Sequence, residues 1–177
     1  DEDLVPDTEA VCVMTADGYI KRTDPSEYKS QKRGGVGVGD LDTKEDDVIA
    51  HTIVGSTHSD IIFFTDRGRA YSVKMYDIPE GRRATKGKSI MNFLSLQEGE
   101  KVMSILPVTK DKKAKNQYLM LVTEQGTAKK MSYEHFKDVR RSGIIAIKLD
   151  KDDTLKAALL VEKSDEIMLA TAQGQSI

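Results

Sequence analysis

One short phrase, a threonine, two variable residues and a glycine, returns four times along this chain. It reads Thr15-Ala16-Asp17-Gly18, Thr65-Asp66-Arg67-Gly68, Thr123-Glu124-Gln125-Gly126 and Thr171-Ala172-Gln173-Gly174. The threonines stand 50, 58 and 48 residues apart, and self-similarity at such a period marks a propeller or an array stacked from one supersecondary unit. The flanks repeat too. An apolar, strand-like run precedes each phrase: Ala10 to Met14, Ile61 to Phe64, Tyr118 to Val122 and Ile167 to Ala170. A polar-apolar segment follows the first three: Tyr19 to Thr23, Arg69 to Lys74 and Thr127 to Met131. The glycine therefore reads as the left-handed residue of a hairpin turn, a conformation it adopts without a Cβ penalty.

Each repeat then continues through a basic loop, a further strand, an acidic turn and a last strand. The basic loops hold Lys29, Lys32 and Arg33, then Arg82, Arg83, Lys86 and Lys88, then Lys137, Arg140 and Arg141. Each also contains glycine: Gly34 and Gly35, Gly87, and Gly143. Acidic turns follow at Asp40 to Asp47, at Glu98 and Glu100, and at Asp150 to Asp153; the last strands are Val48 to Val54, Val102 to Val108 and Leu155 to Val161. Four strands in about 50 residues is the content of one propeller blade, so each full repeat is expected to form four antiparallel strands. The fold class is all-β: one repeat domain over 1–177 in propeller-like blades, with repeats near 10–58, 59–113 and 114–165 and a partial one at 166–177, about three and a half blades. A closed ring takes about four to eight, so this is read as part of a larger disc, with Asp1, Glu2 and Asp3 as the end of a linker. Helix is confined to single turns, one capped at Asp24-Pro25-Ser26-Glu27 and one at Ser132 to Phe136. Lys110 to Lys115 reads as an exposed loop tip.

Composition limits what such an array can do. Hydrophobic residues make up 38% and charged ones 32%, with no apolar run near the roughly 18 residues a membrane helix needs. The lone Cys12 sits in an apolar run, so the expectation is a buried thiol in an intracellular protein without disulfides. The net charge of -2 conceals segregated charge, which is what a polyanion partner responds to.

The stretch with the strongest chemistry is Gln31-Lys32-Arg33-Gly34-Gly35-Val36-Gly37. Two cations beside a backbone that can present its N–H groups make a phosphate grip, because successive N–H groups form an anion-binding concavity and arginine supplies a planar fork. Cations elsewhere repeat the theme: Lys21 and Arg22, Arg69 and Lys74, and Lys129 and Lys130 on the strands that follow the turns. Other chemistries fit poorly. Gly81 to Ser89 has one residue too many for a P-loop, and strand rather than helix is expected after it. Gly35 and Gly37 are followed by Asp40 where a dinucleotide fingerprint needs glycine. His51, His58 and His135 lack partners at zinc spacing. No nucleophile has an evident base, and the adjacent carboxylates Asp46-Asp47 and Asp152-Asp153 read as solvated turn residues.

Together the Gln31 to Gly37 stretch, the Thr-x-x-Gly hairpins and the period closely resemble the C-terminal domain of the DNA gyrase A subunit, whose signature box reads Gln-Arg-Arg-Gly-Gly-Lys-Gly. Six of the seven positions match in kind; Val36 stands where that family usually has lysine. The resemblance spans the chain. It implies a β-pinwheel, a disc of usually about six blades, that wraps double-stranded DNA around a basic rim by phosphate contacts. In that family the wrap presents DNA to a strand-passage gate, and the gyrase B subunit, joined through the full-length A subunit, hydrolyses ATP to drive negative supercoiling. This segment would hold no catalytic residue and no cofactor or metal of its own, with ATP and Mg used by the remainder of the holoenzyme. The implied partners are DNA and gyrase B, with no membrane, and the implied location is the cytoplasm, on the chromosome. The implied DNA contacts are Gln31, Lys32, Arg33, Gly34, Gly35 and Gly37, with Lys21, Arg22, Lys29, Arg69, Lys74, Arg82, Arg83, Lys86, Lys88, Lys129, Lys130, Lys137, Arg140 and Arg141. Two alternatives stay open: the related topoisomerase IV A-subunit domain, in which the box is degenerate, and a propeller serving as a protein-interaction platform.

Overall fold

The structure, a computed structural model, describes residues 4–26, 48–81, 87–108, 117–136, 139 and 143–162. Among them every regular element of more than four residues is a strand: β1 (Glu9–Thr15), β2 (Tyr19–Thr23), β3 (Ile49–Ser56), β4 (Asp60–Thr65), β5 (Arg69–Lys74), β6 (Lys88–Ser89), β7 (Val102–Val108), β8 (Gln117–Thr123), β9 (Ala128–Ser132), β10 (Ile144–Ile145) and β11 (Leu155–Glu162). They form three antiparallel sheets in the orders β3-β1-β2-β6, β10-β5-β4-β7 and β11-β8-β9. The hairpins β1–β2, β4–β5 and β8–β9 turn on the repeated phrase, and Gly18, Gly68 and Gly126 lie at φ 88°, 77° and 91°. The expected partial fourth repeat at 166–177 lies outside the described residues.

One expectation is corrected. The four strands of a sheet do not all come from one repeat. The strand after the second basic loop, β6, pairs with β2 of the first repeat, Tyr19 opposite Ser89 and Ile20 opposite Lys88. The strand after the third loop, β10, pairs with β5 of the second, Ile144 opposite Ala70 and Ile145 opposite Arg69. The physical reason is edge satisfaction. A hairpin whose first strand already pairs with the last strand of its repeat leaves the outer side of its second strand unpaired, and the next repeat passes close enough to fill it. Gly87 and Gly143 make that approach possible. Each has positive φ, and a Cβ there would stand 2.5 Å from the Ile20 carbonyl oxygen and 2.6 Å from Cε1 of Tyr71. Beyond the contact, Ile90 N–H donates to Gly18 O at 2.7 Å, and the N–H groups of Ala146 and Ile147 donate to Gly68 O at 2.8 and 3.1 Å. In the third sheet the outer side of β9 has no strand partner among the described residues.

Between the sheets lie two cores. Ala10, Cys12, Met14 and Ile20 meet Ile61, Phe63, Tyr71, Ile90 and Ile105 in the first. Ile62, Phe64 and Ala70 meet Leu119, Leu121, Tyr133, Phe136, Ile147 and Ala158 in the second. Successive residues of β4 thus serve opposite faces, and all six of its residues are buried. That is why these strands read as continuous apolar runs without polar alternation. The last strands of the repeats, β3, β7 and β11, adjoin one another: a Cβ on Gly55 would lie 3.2 Å from Cβ of Pro107, and Ala158 N–H donates to Ser104 Oγ at 3.0 Å. The exchanged strands β6 and β10 therefore lie at the opposite edge of their sheets, on the perimeter.

Short 3-10 turns follow β5, β6 and β9 at Met75–Asp77, Ile90–Asn92 and Tyr133–Phe136, the last at the place expected to form a helical turn. Asp24 caps its turn as expected, accepting from Ser26 N–H at 2.8 Å and Ser26 Oγ at 2.6 Å. Ahead of β1 the chain is clasped to the β3–β4 turn: Thr57 Oγ1 donates to Pro6 O at 2.6 Å, His58 Nε2 lies 2.6 Å from Val5 O, and Ser56 Oγ donates to Asp7. Cys12 is buried in the first core, and burial pushes its thiol pKa up to about 12.

The exchange predicts unequal costs for three glycine-to-alanine changes. Gly99 has φ 78° with only the end of the Arg67 side chain nearby, at 3.3 Å, so Gly99→Ala should cost about 1–2 kcal/mol from backbone strain alone. Gly87→Ala and Gly143→Ala meet backbone and a packed ring as well and should cost about 1–3 kcal/mol more. Urea unfolding midpoints would measure this; equal losses at all three would contradict the strand exchange as the source of the glycine requirement.

Candidate nucleic-acid interface

The repeated threonine explains itself in the geometry. In all three described turns its carbonyl accepts from the glycine N–H, at 3.0, 3.0 and 3.1 Å for Thr15, Thr65 and Thr123. Its hydroxyl accepts from the residue after the glycine: Tyr19 N–H at 3.1 Å, Arg69 N–H at 3.4 Å and Thr127 N–H at 3.0 Å. The next residue's N–H reaches the approach to the last strand of the repeat, Ala16 to Val48 O, Asp66 to Lys101 O and Glu124 to Thr154 O, at 2.8 to 2.9 Å. Serine could cap the turn, but each threonine is buried, so its methyl also fills space.

The acidic turns close this arrangement. Thr65 Oγ1 donates to Glu100 Oε2 at 2.5 Å, and the same carboxylate accepts from Tyr71 OH at 2.9 Å and Gln97 N–H at 2.8 Å. Burial, with the hydrogen bond and charge of Glu100, pushes the Tyr71 phenol up to about 12. In the third repeat Asp153 takes the equivalent place, accepting from Gln125 N–H at 3.0 Å and Thr154 N–H at 2.9 Å. Burial opposes its ionisation, but hydrogen bonds from Thr123, Gln125 and Thr154 outweigh it and hold its pKa below the ordinary carboxylate value. The reading of Asp152-Asp153 as a solvated pair is therefore corrected for Asp153, which is buried; Asp152 is exposed at φ 66°. The sequence signal for a carboxylate was present, since the same threonine and a following acidic turn recur together, but it did not choose between the two aspartates.

The strand cations divide by environment. Lys21 is only 3% exposed, packed under the exchanged strand at Gly87, and so stands apart from the surface cations. Arg22 is half-buried and holds the chain that leads to the second basic loop: its Nε donates to Ile78 O at 3.2 Å, and its backbone bonds Pro79 O and Gly81 N–H, each at 2.9 Å. Lys74 pairs with Asp60 at 2.7 Å. Arg69 lies over the Tyr71 ring at 5.2 Å and Lys130 over that of Tyr118 at 5.1 Å. Lys88, Lys129 and Lys130 are exposed. So are Lys101, Lys148, Lys151 and Lys156, which carry no repeat signature and were not singled out in the sequence.

Gln31, Lys32, Arg33, Gly34, Gly35 and Gly37, with Lys29, Arg82, Arg83, Lys86, Lys137, Arg140 and Arg141, lie outside the described residues. The anchors of their loops are described. The second loop leaves from Gly81, bonded to Arg22 O, and returns at Gly87, against Ile20 O, so both ends are fixed on β2. The third returns at Gly143, against Tyr71 of β5. The described anchors of these two loops lie against the preceding sheet, at β2 and at β5.

Comparison with known proteins places this geometry. The family described as DNA gyrase C-terminal domain, beta-propeller, matches residues 9–56, 59–109 and 117–162. The DNA gyrase A subunit of Clostridium acetobutylicum is 39% identical over 177 residues, 99% of this chain and 21% of the relative. That of Mycobacterium tuberculosis is 41% identical over 100% of this chain and 21% of the relative. The chain spans about a fifth of the length of these curated relatives. Among solved structures, a DNA gyrase A C-terminal domain superposes with TM-score 0.67 at 28% identity, over 88% of this chain and 49% of that one. The C-terminal domain of a DNA topoisomerase IV superposes with TM-score 0.72 at 24% identity, over 90% and 47%, a likeness of fold.

The threonine and carboxylate links predict a pH-dependent stability. Because the Asp153 pKa is lower folded than unfolded, its contribution is present above the unfolded value near 3.9 and is lost as pH falls through the folded one. The urea midpoint should therefore drop on acidification below about pH 4, and less steeply in Asp153→Asn. Tyr71 behaves oppositely. Its raised pKa gives stability that is full below about pH 10 and is lost toward pH 12, an alkaline limb that Tyr71→Phe should remove. Thr65→Val should cost about 1–3 kcal/mol at neutral pH by stripping a donor from buried Glu100. Unchanged midpoints in all three variants would leave the links without energetic weight.

Proposed function

Since this chain belongs to the DNA gyrase C-terminal domain family of β-propellers, we propose that it binds duplex DNA along its perimeter and bends it as the wrapping module of a type IIA topoisomerase. The observation that carries the reading is the anchoring of the second and third basic loops against the preceding sheet, where the strands that follow them take the outer edge, with both ends of the second pinned on β2. Loops anchored at equivalent points of successive sheets would space their cations along one path, and a curved path of cations would favour a curved duplex. Phosphate contacts dominate such a surface, with little base readout, since few asparagine or glutamine side chains accompany the cations. Bending 20–30 base pairs by 40–90° costs on the order of 1–6 kcal/mol, which contacts at several loops can offset.

Within this reading Lys32 and Arg33 on the Gly34-Gly35 bend, with Gln31 and Gly37, capture the duplex where it would otherwise spring away. Arg82, Arg83, Lys86 and Lys88, then Lys137, Arg140 and Arg141, guide its path, with Lys29, Arg69, Lys129 and Lys130 beside them. Lys21, Arg22 and Lys74 serve the fold instead. Catalysis belongs to the remainder of a longer protein working with a gyrase B partner in the cytoplasm, where ATP and Mg drive strand passage; the domain contributes the handedness of the wrap. A topoisomerase IV protein would use the same fold without strong wrapping, and supercoiling as against relaxation alone by the assembled enzyme separates the two.

Electrostatic binding through about 6–8 phosphates predicts that log affinity falls with log salt at a slope of about -5 to -7, whereas a slope shallower than about -2 would overturn the perimeter reading. Replacing Lys32, Arg33, Gly34 and Gly35 by alanine should retain most binding and reduce the slope by about two, yet abolish bending of short DNA in an energy-transfer assay. A variant that bends like the parent would make the box an ordinary loop.

A further inference from the structure

The two exchanged strands are register equivalents with opposite chemistry. Lys88 faces Ile20 and Ile144 faces Ala70, each across from the second residue past a turn glycine; Ser89 faces Tyr19 and Ile145 faces Arg69, the first residue past it. Where the first sheet presents an exposed lysine, the second presents Ile144, 37% exposed, and Ile145, 72% exposed. Two adjacent isoleucines on the outermost strand of a sheet invite aggregation unless something covers them. Nothing within the described residues does.

The surroundings say what fits there. Lys148 is exposed just after the pair in sequence, and Arg69 sits directly across the ladder from Ile145. An apolar side chain set among cations on a perimeter matches the edge of a duplex, where apolar sugar and base surface lies between phosphates. Proteins that bend DNA commonly press isoleucine, leucine or methionine against base steps in the minor groove.

We propose that Ile145 is an apolar DNA contact on the perimeter of the second sheet, pressing on the sugar and base edge of the minor groove while Arg69 opposite it neutralises a flanking phosphate. The inference rests on the DNA-binding reading above and adds to it a contact that salt does not govern. It also gives the perimeter a division of labour: Lys88 holds the backbone at the first sheet, and Ile145 favours a deformable step at the second.

The test is a salt titration of duplex affinity for the full chain and for Ile145→Ser and Arg69→Gln. Ile145→Ser should bind about tenfold more weakly at every salt concentration with the slope unchanged, as expected for loss of one well-buried aliphatic contact. Arg69→Gln should instead lower the slope by about one. Thermal unfolding should be unaltered in Ile145→Ser, because the side chain is mostly exposed. A base-analogue fluorophore placed along a short duplex should brighten at one step with the parent and stay quenched with Ile145→Ser. Parental affinity in Ile145→Ser would overturn the proposal while leaving the DNA-binding reading intact. So would unchanged DNA binding with loss of self-association by sedimentation, which would assign the pair to a protein interface. Failure of the parent to bind DNA would overturn the broader reading instead.

Discussion

The unpaired outer side of each hairpin is the constraint on which the architecture depends. A second strand at a sheet edge exposes N–H and C=O groups that must find partners or remain a site for stray pairing. Here the following repeat supplies the partner, through β6 for β2 and β10 for β5. The exchange makes neighbouring sheets covalently interdependent, so neither of these two sheets is the product of one repeat. It also explains the glycines of the basic loops. A motif that looks purely like phosphate chemistry, cations followed by glycine, carries a steric duty: at Gly87 and Gly143 the backbone must approach Ile20 and Tyr71 more closely than any side chain allows.

Inside each repeat a second linkage ties the hairpin turn to the last strand. Thr65 shows its full form: the carbonyl closes the turn at Gly68, and the hydroxyl accepts from Arg69 N–H and donates to Glu100. The carboxylate then reaches Tyr71, whose ring lies under Gly143 of the next repeat. Turn, acidic segment and exchanged strand thereby meet in one buried network, where low dielectric strengthens each bond and makes any missing one costly. The acidic residues are thus partly an internal framework, which is one reason a net charge of -2 says little about the perimeter.

Charge is accordingly sorted by position. Lys21 and Lys74, identical in type to the perimeter lysines, are committed to the fold by burial and by Asp60. Lys88 is exposed on the outer strand, and the second basic loop is anchored to the same edge. On the proposed reading, a duplex bound there would meet cations from two successive repeats at one sheet, so its path would depend on the exchange as well as on the charges.

Much of this was legible in the residues. The Thr-x-x-Gly phrases located three hairpins and their left-handed glycines, and the apolar runs located β1, β4, β8, β7 and β11, because a turn and an apolar strand are specified by residues adjacent in sequence. The Asp24 cap is local in the same sense. What the residues left open was which hairpin the two-residue strands β6 and β10 would join, since Lys88-Ser89 and Ile144-Ile145 have no pattern that names a partner. Nor do they separate Lys21 from Lys88, or Asp153 from Asp152, which are alike in type and neighbourhood. Tertiary structure decided these, because burial and edge pairing depend on what a segment distant in sequence lays across the surface: Gly87 covers Lys21, Gly143 presses on Tyr71, and the turn at Thr123 to Gln125 takes up Asp153.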